Sequence, residues 1–346
     1  MTRSKLLGSA GAAICLTFAV AGPARVASAG SLSSSVLGMF PKNLGEVGYA
    51  NLKEARRASW FPQMEAQLLP SRFQRFYEFL RSAGVNPDTQ IEEVAWAGSR
   101  AAQPAPAAPG ADASATPPQR FTGDQVVGIA LGSFEPDRVD NFFATQHLPF
   151  ITVRGYKLYA FGSGVSPGDL FFFFFDSNTI AFGYREILEA LIGVRFGDGD
   201  SFLQNENLAP LVDEVNGQGT LWVALDRDNA HKSIERLVPE AAQFPGASDI
   251  IARVKGMTIT MQVDSGLDAA VTPHCGSTND AVTLATLAQA GLLFKRVQYA
   301  QSNPDIAKVI DGTTVSADGN NLKVRTQVSD ELVQTVLRNQ TIFQSN

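Results

Sequence analysis

Leu170-Phe171-Phe172-Phe173-Phe174-Phe175 places six large apolar side chains in succession, with Asp176 ending the run. In an extended strand neighbouring side chains alternate between faces, so this run puts apolar groups on both. Such a strand needs cover from both sides, which an interior strand between helix layers obtains. Left exposed, the same run would pair with other chains and aggregate. The sequence therefore predicts a core strand covered on both faces.

Working outward, residues 150–161 and 170–183 read as two strands. Before them Pro136 opens a helix with Val139, Phe142 and Phe143 on one face. Phe73, Phe76, Tyr77 and Leu80 define an earlier helical face, closed by Gly84 and Pro87. Residues 46–52, 91–99 and 124–134 read as strands, and Ile187, Leu188, Leu191 and Ile192 as a short amphipathic helix. The later half repeats this order. Strands at 220–225, 253–263 and 267–271 accompany helices at 229–242 and from Ser277 onward, the second with Leu284, Leu287, Leu293 and Phe294 as its apolar face. A hairpin follows across Asp318-Gly319-Asn320, and a helix closes at Leu337. Both halves spell β-α-β-β-α-β-β-α. The fold class is thus α+β, with two similar units of mostly antiparallel sheet covered by helices, at 46–195 and 219–346. Residues 196–218 connect them, 30–45 form a flexible lead, and the Ala/Pro-rich stretch 101–119 reads as a disordered insertion.

The composition agrees with a folded globular chain. Hydrophobic residues make up 45% of the 346 and charged residues 18%, which excludes a disordered or collagen-like polymer. The beginning reads as an export signal: Arg3 and Lys5, an apolar stretch from Leu6 to Gly22, and the small-x-small end Ala27-Ser28-Ala29. Cleavage near Ala29 predicts a secreted or periplasmic protein with 25 basic and 34 acidic residues. That acidity argues against nucleic acid as a partner. With Cys15 in the leader, Cys275 is the one cysteine left, so no intrachain disulfide is expected.

The Phe79-Leu80 to Asp88 passage, which contains Ala83-Gly84-Val85-Asn86-Pro87, the strand Glu92-Glu93-Val94-Ala95-Trp96 and the doubled element order resemble uncharacterised bacterial secreted proteins. Those chains carry a duplicated α+β module after a signal peptide. The resemblance implies fold and export, and it implies no catalytic residue set.

Chemical signatures are sparse. His147, His231 and His274 lack ligand spacing, and neither a nucleophile elbow nor a phosphate-binding loop is present. No cofactor is expected. His274-Cys275 pairs a thiol with an imidazole in sequence, yet strand neighbours point apart. Asp198-Gly199-Asp200, with Asp213 and Glu214, offers carboxylates in a pattern that also suits a plain turn. Between 51 and 83 six cations outnumber three acids, and Arg56, Arg57, Trp60 and Phe61 form a candidate contact surface. The expectation is an exported non-catalytic binding or interaction protein. Its partner would be an envelope protein, a membrane surface or an apolar ligand. The alternative is a secreted hydrolase using scattered carboxylates or Cys275.

Overall fold

The computed structural model describes residues 30–68, 71–99, 125–237 and 246–339. The leader and the Ala/Pro-rich insertion lie outside the described residues. The strands are β1 Glu46–Asn51, β2 Ile91–Ser99, β3 Gln125–Gly132, β4 Phe150–Val153, β5 Tyr156–Phe161, β6 Leu170–Asp176, β7 Thr179–Tyr184, β8 Leu221–Asp226, β9 Gly256–Val263, β10 Gly266–His274, β11 Thr313–Asp318 and β12 Asn321–Ser329. The helices of the first half are α1 Ser34–Leu37, α2 Leu52–Ala55, α3 Phe61–Leu68, α4 Ser71–Ser82, α5 Pro87–Gln90, α6 Pro136–Thr145 and α7 Arg185–Arg195. Those of the second are α8 Ala209–Val215, α9 Arg227–Leu237, α10 Ala247–Ile251, α11 Thr278–Ser302, α12 Pro304–Asp311 and α13 Asp330–Arg338.

The twelve strands form one sheet in the order β11-β12-β10-β9-β8-β1-β2-β3-β7-β6-β5-β4. Each described pair is antiparallel. The two halves of the chain meet at the β1·β8 pair, with Val47 opposite Ala224 and Tyr49 opposite Trp222. Outward from β1 the order is β2, β3, β7, β6; outward from β8 it is β9, β10, β12, β11. The same order runs in both directions, and β5-β4 extends the first side.

Two expectations about strands need correction. Residues 150–161 form not one strand but the hairpin β4–β5, turning at Arg154 and Gly155, which both have positive φ (49° and 89°). Residues 170–183 likewise split into β6 and β7 around Ser177-Asn178. Each turn carries its own signal, Arg154-Gly155 and Asp176-Ser177-Asn178, outweighed in the reading by the apolar residues on either side.

The phenylalanine run is buried on both faces. On one face Phe171 and Phe173 join Val47, Tyr49, Ala95 and Trp222 in a cluster covered by α1, α7 and α8. On the other, Leu170 and Phe172 pack with Trp60, Phe76, Leu80, Val139 and Phe143 beneath α3, α4 and α6. A third cluster packs Leu225, Met257, Cys275 and Leu322 against α9, α10 and the start of α11. The closing helices of the two halves differ in side. Ile187, Leu188 and Leu191 of α7 join the first cluster, whereas Val333 and Leu337 of α13 join the second.

Helix α11 corrects a further expectation. Leu284 is core, but Leu293 and Phe294 are 64% and 67% exposed, because only the first turns of this 25-residue helix reach the core cluster. Its start is held by Ser277, whose hydroxyl accepts the Asp280 N–H. The Arg253 guanidinium donates twice to Asp280 Oδ1, at 2.7 and 3.1 Å. Hydrogen bonds to the Asp280 carboxyl, from Arg253 first and the Ser277 side chain second, hold it below its ordinary value. A depressed folded-state value means the stabilisation is complete above about pH 4 and disappears as pH falls through that lower value. Asp280→Asn is therefore expected to lower the melting temperature at pH 7, with the difference from the parent closing as pH drops below about 4. Thermal melts of both proteins across that range check it.

Candidate functional site

At the exit of β1, Asn51 leaves the sheet and caps α2: its side-chain oxygen accepts the Glu54 N–H at 2.9 Å. The sheet order β9-β8-β1 brings the β9–β10 turn, with Val263 and Asp264, to the same place. Between them opens a cleft of about 330 Å³ lined by Asn51, Lys53, Glu54, Arg57, Ala58, Val263 and Asp264.

The four residues that the sequence singled out separate here. Trp60 and Phe61 are not surface groups: they are 2% and 6% exposed and belong to the core beneath α3. Their alternation with cations looks amphipathic, but the sheet claims the aromatic side. Arg56 is a structural clamp, donating to the Ile91 carbonyl at 2.6 Å and the Pro87 carbonyl at 3.0 Å. Arg57 alone is exposed and lines the cleft. It makes no hydrogen bond or ion pair with the described residues. Its neighbour Lys53 is engaged by Glu92 at 2.8 Å.

On the same wall Glu54 of α2 keeps one carboxylate oxygen, Oε2, buried without a partner among the described residues, while Asp264 on the opposite wall is exposed. The cleft thus offers unengaged charges of both signs a few side chains apart. Such charges suit holding a ligand by paired charges and hydrogen bonds. Asp264 was invisible to sequence reasoning as a partner of Glu54. Only the strand order joins them.

No family model matches the chain, and no curated protein matches it. Among solved structures it is similar to TP0453, a Treponema protein. Crystal form I aligns with TM-score 0.46 over 88% of this chain and 96% of that chain, at 9% identity. Crystal form III gives 0.47 over 88% and 97%, also at 9% identity. The likeness is one of outline.

The other sequence candidates are spread through the fold. Cys275 is 3% exposed, and burial pushes its thiol up. The imidazole of His274 lies 3.7 Å from Glu214, on a strand position whose neighbour Cys275 points into the third cluster. His231 Nε2 meets the Val254 carbonyl at 2.8 Å. Asp200 pairs with Lys42 at 3.4 Å, and Asp198 pairs with Arg154. That last pair ties the Asp-Gly-Asp turn to the missed β4–β5 turn.

Proposed function

We propose that the protein is exported and acts as a non-catalytic binding protein that grips a polypeptide partner at the cleft beneath Arg57. The observation that carries this reading is an exposed guanidinium, without a partner among the described residues, in a cleft it shares with the carboxylates of Glu54 and Asp264. A polypeptide supplies both kinds of complement: carboxylates and carbonyls for Arg57, amides and amines for the acids. The export half rests on the Ala27-Ser28-Ala29 ending of the apolar leader. A hydrolase built on Cys275 has less support, since a buried thiol with a raised pKa holds little thiolate at neutral pH.

The test is affinity capture from the native envelope using the mature protein, alongside Arg57→Glu and Asp264→Lys. Each substitution reverses one wall of the cleft and is expected to reduce capture of a defined polypeptide about tenfold or more, as the loss of a charge-assisted contact would. Capture unchanged by both substitutions sinks the cleft as the binding site. Co-sedimentation with anionic vesicles at low salt, if it depended on Arg57, would replace the polypeptide with a membrane surface.

A further inference from the structure

The first described residues sit in an unusual setting. Leu32 is 2% exposed and clamped on both sides by Asn216, whose oxygen accepts the Leu32 N–H at 2.8 Å and whose amide donates to the Leu32 carbonyl at 2.9 Å. This clamp holds Gly30 against β1. A Cβ added to Gly30 would overlap the Tyr49 hydroxyl oxygen and fall 3.0 Å from Asn51 Nδ2, so only glycine fits. Standard bond lengths then place the Gly30 nitrogen within about 5 Å of the Tyr49 hydroxyl.

The surroundings are short of positive charge. Tyr49 is fully buried, stacked on Trp222 at 5.7 Å, and its hydroxyl makes no well-formed hydrogen bond. Glu93 stands directly opposite Asn51 across the β1·β2 pair, which puts its side chain on the same face, close to Tyr49. Among the described residues Glu93 makes no ion pair. Burial, then Glu93 and then Glu54 raise the phenol above its ordinary value. Lys53 does not serve, being paired with Glu92, Arg56 is spent on carbonyls, and Arg57 belongs to the exposed cleft beside Glu54.

We propose that Gly30 is the processed N-terminus of the protein and that its α-ammonium docks between the Glu93 carboxylate and the Tyr49 hydroxyl. This rests on the export reading. Hydrolysis of the Ala29–Gly30 amide by water leaves a carboxylate on Ala29 and an ammonium on Gly30. That ammonium supplies the positive charge the niche lacks, with donors for both Glu93 and Tyr49. Processing thus completes the fold as well as releasing the leader. A chain carrying even one extra residue has a neutral amide there and leaves Glu93 uncompensated.

The experiment compares two full mature chains released from fusions, one beginning at Gly30 and one at Ala29, with Glu93→Gln and Tyr49→Phe in each. The Gly30 chain is expected to melt several degrees higher. Its α-amine should acylate about tenfold more slowly at pH 7, the change produced by one unit of pKa. Glu93→Gln should abolish both differences, and Tyr49→Phe, which keeps the stack on Trp222, should reduce them. Equal melting and equal acylation of the two parent chains overturns the niche. N-terminal mapping of the exported protein that finds a start other than Gly30 overturns processing at this bond, independently of the niche.

Discussion

Phe172→Ala is expected to destabilise the protein by about 4 kcal/mol, the cost of emptying a large aromatic site in a core that cannot fully collapse. Phe172 is completely buried and contacts five other rings: Phe76, Phe79, Phe143, Tyr159 and Phe174, with centroids 5.3 to 6.5 Å away. Those rings come from α4, α6, β5 and β6, so the cavity would loosen a whole layer. For a chain of this length the melting temperature should fall by about 6 °C. Phe175 provides the contrast within the same run. It is half-buried, beside Phe173 at 4.7 Å and under the Arg195 guanidinium at 5.1 Å. Phe175→Ala should cost less than half as much. Urea unfolding of both variants, read as a midpoint shift at constant m-value, checks the ranking. Equal shifts would mean that β6 is as deeply buried at its end as at its middle, contrary to the fold described.

Gly132→Ala is the second large effect. A Cβ at Gly132 would overlap the carbonyl oxygen of Gln90 and lie 2.9 Å from its carbon. Neither side can easily yield. The Gln90 carbonyl accepts the Ser133 N–H at 3.1 Å, and Gly132 is bound through both its N–H and its carbonyl to Asn178, each at 2.9 Å. The register between β2 and β3 shifts just here, between Ile91 and Glu93, so the approach belongs to a bulge. Relieving the overlap means breaking one of those bonds or opening the bulge, at about 3 kcal/mol. Gly199→Ala, whose Cβ would meet only Val194 Cγ2 at 3.7 Å, is the matched control and should be near neutral. Unfolding midpoints of the pair decide it.

Much of the fold could be read from local chemistry. The phenylalanine run demanded a doubly covered strand. Asp318-Gly319-Asn320 gave the β11–β12 hairpin, and Ser277 with Asp280 gave the start of α11. Reading failed where the deciding partner was distant. Arg154-Gly155 is a tight turn, but the apolar residues on either side suggested one strand. Leu293 and Phe294 are apolar yet exposed among the described residues, because α11 runs on past the turns that reach the core cluster. At the site, Arg57 was legible as an exposed cation, whereas Trp60 and Phe61 were assigned to its surface although the core takes them. The opposing Asp264 arrives through strand order, which no local pattern encodes.

The β1·β8 seam has a consequence for how the chain is made. Its two strands come from opposite halves of the polypeptide, so closing it carries a large loop entropy and is slow compared with the hairpins on either side. When synthesis or translocation delivers the N-terminal half first, β1 waits with one edge bare until β8 emerges. A bare edge is a template for pairing with another molecule. Yield should therefore depend on how quickly the second half follows, and a holding chaperone that shields β1 during that interval would favour the monomer over misassembled chains.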